Sequence, residues 1–395
     1  MGLPGIRQDP RDPEFVQNPY LFYDRMRNLG PLVRWEEYEK PFASDYAMVD
    51  ALLRDRRFGR EAPDNVRITP PAHLKPFYDI EANSMLELEP PRHTRLRSQV
   101  LRAFTARQVA SMEPGIRALC HQLIDGFSGD RIDLIAAYCE TIPVTIIARM
   151  MGVPDEMAPQ LLTWSHALVA MYQARRNAQV ESDAVTASVE FSDYIRDLIA
   201  QKRERPTDDL LSGLVNAGDG ALREPEIIST CILLLNAGHE ATVHAIGNGV
   251  ATILDAGGPD PNWFATDDGI ERLCCEVLRY DPPLHMFSRY ALENVEICGH
   301  PFARGDDVGL LLAAANRDPA KFEQSQRFDP TRDVSAHTSF GAGIHFCVGA
   351  PLARLELQVA LPVLFERCPD LKLSGVPRFA DRYHFHGLAQ LFVTI

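Results

Sequence analysis

The sequence predicts a mainly α-helical protein with small peripheral β-sheets, an α+β arrangement in which helices carry the core. Three observations predict it. Apolar residues recur at helical spacing from residue 92 to about 254. Within that region, residues 223 to 257 read as a single helix of about 30 residues, roughly 45 Å long at 1.5 Å per residue. Extended signals are short and lie near the two ends of the chain. With no Ser/Gly-rich linker and no long run of one charge, residues 1–395 are expected to form one domain, β-rich over about 1–60.

Taken in order, residues 19–29 carry helical spacing in Leu21, Phe22, Met26 and Leu29 and stop at Gly30-Pro31. Leu32-Val33-Arg34-Trp35 and Tyr46-Ala47-Met48-Val49 read as short strands or their flanks, and the Pro-rich residues 61–90 as a long surface loop. The long helix starts at Arg223-Glu224-Pro225-Glu226, with Pro in its first turn and acids near the positive end of its dipole. It stops at Gly257-Gly258-Pro259. It is apolar nearly all round, hence buried. Its middle nevertheless holds Ala237-Gly238-His239-Glu240-Ala241-Thr242, a carboxylate and a hydroxyl where burial costs several kcal/mol without a partner. Read alone, Glu240 is equally a satisfied core group or a functional one. Val295-Glu296-Ile297, Val308-Gly309-Leu310-Leu311 and Leu391-Phe392-Val393 return to extended spacing.

The net charge of −14 argues against a general nucleic-acid binder, which needs a basic face. The first residues hold no apolar core of a signal peptide, and the most apolar stretch is interrupted by Asn236, His239, Glu240, His244 and Asn248, so no membrane partner and a cytoplasmic location are expected. The eight cysteines form no C-x-x-C pair. Cys347 stands apart through its neighbours, Phe340-Gly341-Ala342-Gly343-Ile344-His345-Phe346-Cys347-Val348-Gly349, followed by Ala350-Pro351. The glycines allow positive φ and close approach of backbone to a flat ligand. Pro351 marks the start of a helix, whose N–H groups favour thiolate over thiol at Cys347. A lone thiolate without a second Cys or His at zinc spacing fits haem iron better than zinc. A Gly-rich turn holding an incidental cysteine remains the alternative on these grounds alone.

The segment resembles the haem-ligand signature of the cytochrome P450 family, F-G-x-G-x-H-x-C-x-G, at every specified position. Three further stretches resemble the family in order: Glu276-Val277-Leu278-Arg279, its E-x-x-R pair; Asn316-Arg317-Asp318-Pro319 with Phe328-Asp329-Pro330-Thr331-Arg332, its meander; and His93-Thr94-Arg95-Leu96-Arg97. The resemblance spans essentially the whole chain and is strongest to soluble bacterial members. It implies the P450-like triangular prism, with heme b (haem, iron protoporphyrin IX) between the long distal helix and the helix after the cysteine. It implies Cys347 as the metal ligand. His93, Arg97, Arg289 and His345 would hold the propionates, and Phe340, Gly341, Gly349 and Ala237 would lie against the ring. Glu276, Arg279 and Arg332 would lock the meander.

Family members usually place Thr directly after the acid of the long helix, where acid and alcohol deliver protons during dioxygen activation. Here Glu240 is followed by Ala241, and Thr242 comes one position later, turned about 100° away. Water or a substrate hydroxyl replacing the alcohol, a distorted helix that lets Thr242 serve, and a reaction other than hydroxylation all stay open. The resemblance implies a small-molecule substrate pocket including Met85, Leu86, Leu168, Leu234, Leu284, Met286 and Phe287, apolar enough for an apolar or amphipathic compound. His73, Lys75, Arg175 and Arg176 are alternative carboxylate partners or plain surface charges. Electrons would come from a ferredoxin and an NAD(P)H-fed ferredoxin reductase, with Arg102, Arg107 and Arg354 as docking charges. The expectation is a monooxygenase. A peroxide-driven or electron-independent haem-thiolate enzyme, and a non-catalytic haem sensor, are the competing readings.

Overall fold

The computed structural model of the chain describes residues 2–172, 176–218, 221–332 and 336–395. Helices dominate. The long helix runs Glu224–Asp255, 32 residues. Glu226 in its first turn accepts the Arg223 backbone N–H at 2.9 Å and is also paired with Arg95 and Arg223. Gly257 and Gly258, both at positive φ, end it. Its apolar residues, among them Ile227, Cys231, Leu235, Ile246 and Val250, are buried. They pack against helices Thr141–Met151, Asp267–Tyr280 and Ala350–Arg367, so the long helix forms the axis of the largest core cluster. Among the described residues no helix is long and apolar enough to cross a membrane.

Four sheets are present among the described residues. The largest has six strands in the order Gly5–Ile6, Val33–Trp35, Lys40–Ala43, Asp307–Leu311, Met286–Ala291 and Phe58–Gly59. It is more than a peripheral decoration. The strand Met286–Ala291 pairs antiparallel with Asp307–Leu311, Phe287 opposite Leu310 and Arg289 opposite Val308, which puts Phe287 and Arg289 on one face. Met286, on the other face, joins a second aromatic core with Phe15, Tyr20, Tyr23 and Trp35.

Two local expectations are overturned. Tyr46 to Val49 begin a helix, Tyr46–Arg54, instead of a strand. The Asp45 carboxylate accepts the Met48 N–H at 2.8 Å, and Val49, Leu52 and Leu53 then fall on one buried stripe. Residues 61–90 are not all loop: Lys75–Glu81 is a helix that buries Phe77 and Ile80, and Ser229 of the long helix donates to the Ile80 carbonyl at 2.8 Å.

Candidate active site

The cysteine loop is shaped by its glycines in two distinct ways. Gly341 and Gly343 have φ of +68° and +69°, and a side chain at Gly343 would meet the Leu53 carbonyl at 2.6 Å. Gly349, at φ −82°, needs no special conformation; a Cβ there would only touch the Cys347 sulfur at 3.8 Å. Cys347 donates its N–H to the Phe340 carbonyl at 3.0 Å, and helix Ala350–Arg367 starts three residues on, with Pro351 in its first turn. The thiol is accessible, yet protein surrounds it closely: burial pushes it above its ordinary range, against the Gly349 and Ala350 N–H groups and the charges of Arg97 and Arg354. The helix start pulls toward thiolate, as expected from the sequence, against a desolvation that pushes the other way. Desolvation wins until a cation takes the proton's place.

Beside the loop lies a cluster of cations with few counter-charges. Arg289 is buried, uses the Ser288 carbonyl at 2.9 Å, and forms no ion pair among the described residues; burial and the neighbouring Arg60 lower it to about 9. His93 is buried with Nδ1 unpartnered and is lowered to about 4, chiefly by burial and His345. Arg97 donates to the Phe346 carbonyl at 2.6 Å. His345 differs from expectation. Its Nε2 lies 2.8 Å from Glu89, which also accepts the Arg60 N–H at 2.7 Å, so this imidazole already has a carboxylate partner. Sequence reasoning passed over Glu89, which sits in the Pro-rich stretch with no motif to mark it.

On the long helix, Ala237 is exposed and Leu233, Asn236, Gly238 and Ala241 are half-buried, in the middle of a mostly buried element. Leu233, Ala237 and Ala241 recur every four residues, so the accessible strip is one helical face of small or apolar groups. A deep accessible thiol, an apolar accessible helix face and buried cations seeking anions match the donor set of haem: metal, flat ring and two carboxylates.

Glu240 is buried and surrounded. Its Oε1 lies 3.4 Å from His244 Nε2 and 3.7 Å from Arg382 Nη1; its Oε2 lies 3.6 Å from His239 Nε2 and 3.8 Å from His166 Nε2. Burial opposes ionisation, but His244, His239 and His166 outweigh it and hold the carboxyl at about 2. The helix runs unbroken through Ala241 and Thr242, and the Thr242 hydroxyl donates weakly back to the Gly238 carbonyl at 3.4 Å. No distortion brings Thr242 into the missing alcohol's position. Thr242 instead approaches Glu356, a fully buried acid without a charged partner among the described residues, which burial raises far above its ordinary range against a contribution from Thr242. Glu356 stands within the segment after the cysteine but had no signal in the sequence, since only packing reveals that its carboxyl lacks water and cations. His166, His244 and Arg382 were likewise passed over: they come from separate stretches that converge only in three dimensions.

Glu276 and Arg279 are both fully buried and joined by two bonds of 2.7 Å. Arg279 also donates to the carbonyls of Asn316, Ser325 and Arg327, Glu276 accepts the Asp329 N–H at 2.8 Å, and Arg332 approaches Glu276 at 3.7 Å. Of the pocket candidates, Phe287 and Leu284 are half-buried, while Met85, Leu168 and Leu234 lie in the main core. One does not fit: Met286 faces the N-terminal aromatic core, because strand alternation turns it away from Phe287. Leu86 is exposed. His73 and Arg176 both pair with Glu181 at 2.8 Å and Lys75 pairs with Asp79; Arg175 lies outside the described residues. Arg102 and Arg107 are exposed, whereas Arg354 holds its guanidinium 5.2 Å from the Phe340 ring.

Comparison with known proteins places this geometry. The family model for cytochrome P450 matches residues 270–376. A biotin biosynthesis cytochrome P450 of Bacillus subtilis (strain 168) is 34% identical over 389 residues, covering 96% of this chain and 97% of that one. The 6-deoxyerythronolide B hydroxylase of Saccharopolyspora erythraea is 35% identical over 370 residues, 90% of each. The crystal structure of P450BioI in complex with a hexadec-9Z-enoic acid-ligated acyl carrier protein superposes with a TM-score of 0.91 at 34% identity, covering 97% of this chain and all of that one. A likeness of this extent, at this identity, shows that the chain belongs to the cytochrome P450 family: it binds haem b and is an oxidoreductase that incorporates oxygen from dioxygen.

Proposed function

We propose that this protein is a cytoplasmic monooxygenase that inserts one oxygen atom into an apolar or amphipathic small molecule, using electrons from a ferredoxin and its NAD(P)H-fed reductase. The observation that carries the reading is the accessible Cys347 thiol, set within the Gly349 and Ala350 N–H groups in a chain whose long helix presents Ala237 and Ala241 on an accessible face. Haem, once bound through Cys347, supplies the dioxygen-activating chemistry. The protein's residues do the rest. Arg289, Arg97 and His93 hold the propionates, which supply the counter-charge that buried Arg289 lacks. The Gly349 and Ala350 N–H groups moderate the basicity of the sulfur. Glu240, ionised and ringed by imidazoles, takes protons from solvent at its carboxylate oxygens and passes them inward, with His166, half-exposed, at the outer end. Ala241 donates nothing, so the last transfer needs a water or a substrate hydroxyl held against the Ala237–Ala241 face. Phe287 and Leu284 present apolar surface to substrate, consistent with a relative that holds a fatty acyl chain.

Ala241 also supports a second reading, turnover driven by hydrogen peroxide. Ligands are screened for a shift in haem spin state, and the hits are turned over with a ferredoxin system in labelled dioxygen or with peroxide alone. Product carrying one labelled oxygen in the first arm supports the monooxygenase; product only in the second replaces it. Cys347→Ala removes the red-displaced Soret band of the reduced carbonyl complex, and its persistence would remove Cys347 as the ligand. For the electron donor, Arg102→Glu and Arg107→Glu are expected to slow reduction and weaken its salt dependence. An unchanged rate dismisses that docking face.

A further inference from the structure

The surroundings of His239 contain an unresolved contact. Its Nδ1 lies 2.8 Å from the Leu235 carbonyl oxygen, which can only accept, so Nδ1 carries the proton. In the neutral ring the lone pair then sits on the other nitrogen, Nε2. It is buried, has no hydrogen-bond partner among the described residues, and faces Glu240 Oε2 at 3.6 Å. Two electron-rich atoms pointed at one another in a buried site repel unless a proton or a metal ion lies between them. A third donor completes the geometry: His166 Nε2, on the neighbouring helix Ala158–Val169, is 3.8 Å from the same carboxylate oxygen, and the three ligand atoms lie within 4.8 Å of one another.

We propose that His166, His239 and Glu240 form a divalent transition-metal site of zinc type that ties helix Ala158–Val169 to the long helix. Two imidazoles and one carboxylate are a common three-ligand set for zinc, leaving the fourth position to water. Donors at zinc bond lengths stand about 3.3 Å apart in a tetrahedron, so the two imidazole distances to Oε2, 3.6 Å and 3.8 Å, need a few tenths of an ångström of closure, and the third edge, between the imidazoles, closes from within 4.8 Å. The Leu235 carbonyl already holds the His239 tautomer in the ligating form, the role an outer-shell partner plays in metal sites. His166, half-exposed, gives the ion a route from solvent. His244 and Arg382 approach the opposite carboxylate oxygen, Oε1, and leave Oε2 to the metal; Glu140 adds a negative charge felt at His166 and Glu240.

Occupancy would withdraw the Glu240 carboxylate from proton transfer and clasp two helices of the distal side, making zinc a reversible inhibitor. That consequence rests on the function proposed above; the binding itself does not. The test uses the haem-loaded full chain, so that Cys347 is taken, with zinc chloride as the probe in competition with a chromophoric chelator. One tight equivalent is expected, with a rise in the unfolding temperature. His166→Ala, a change at the surface, is expected to weaken binding by about tenfold or more and to abolish the thermal shift, with His239→Ala doing the same; haem absorbance and melting without zinc report that each variant is folded. No stoichiometric binding, or equal affinity in His166→Ala, overturns the site. Binding without loss of turnover upholds the site and removes Glu240 from the proton path.

Discussion

Two buried glutamates in this protein are treated in opposite ways. At the meander, Glu276 meets Arg279 through two short bonds and accepts a backbone N–H, while Arg279 spends its remaining donors on three carbonyls. At the middle of the long helix, Glu240 has four possible cations at 3.4–3.8 Å and none in close bidentate contact. The first is a closed network in which nothing can move without stranding a charge. The second leaves protons and imidazoles room to exchange roles. The difference teaches that the state of the partners, more than burial of a carboxylate, separates a structural lock from a working group.

The largest effect is expected at the lock. Arg279→Leu leaves Glu276 buried with only Arg332 at 3.7 Å for a cation, costing about 3–5 kcal/mol, read as loss of haem retention and a lower denaturant midpoint; a stable, haem-replete variant would undo the distinction. At the long helix, Glu240→Gln is expected to keep the fold and the ligand-induced spin shift while lowering kcat on the order of 100-fold. An unchanged solvent isotope effect and kcat would make Glu240 a packing group like Glu276.

Glu356 adds a third buried acid, one with no cation beside it among the described residues. Its folded value lies well above its ordinary 4.5, so folding takes up a proton and stability falls as pH rises beyond that value, by about 1.4 kcal/mol per unit. Glu356→Gln, neutral throughout, is expected to flatten that slope and stabilise the protein at alkaline pH. A slope as steep in Glu356→Gln as in the parent, read by chemical denaturation across pH 5 to about 8, would show that Glu356 does not take up the proton and that another group carries the slope. Smallest is Ala241→Thr. It leaves haem binding intact and shifts the partition of NADH between product and waste by a few-fold, roughly 1 kcal/mol; equal coupling and regioselectivity would clear that position of any part in proton transfer.

Much of the site was legible because its signals are local. Gly341 and Gly343 mark a backbone that needs positive φ, Pro351 marks a helix start beside Cys347, and Pro225 and Gly257 bracket the long helix. The misreadings have equally local causes. Tyr46 to Val49 alternate like a strand until Asp45 is recognised as a cap and Leu52 and Leu53 are added to the stripe. Met286 and Phe287 are both apolar, and only the pairing register with Asp307–Leu311 assigns them to opposite faces.

The helical class, the extent of the long helix, the ligand-bearing loop and the order of the family's motifs could be read from the chain alone, because each is set by residues within a few turns of one another. That Glu89 occupies His345, that His166, His244 and Arg382 ring Glu240, and that Glu356 has no cation beside it among the described residues all follow from packing in three dimensions. Periodicity says which face of a helix is buried. What that face meets depends on how helices distant in the chain pack together, and there desolvation and partner distance set the charge state of every buried group.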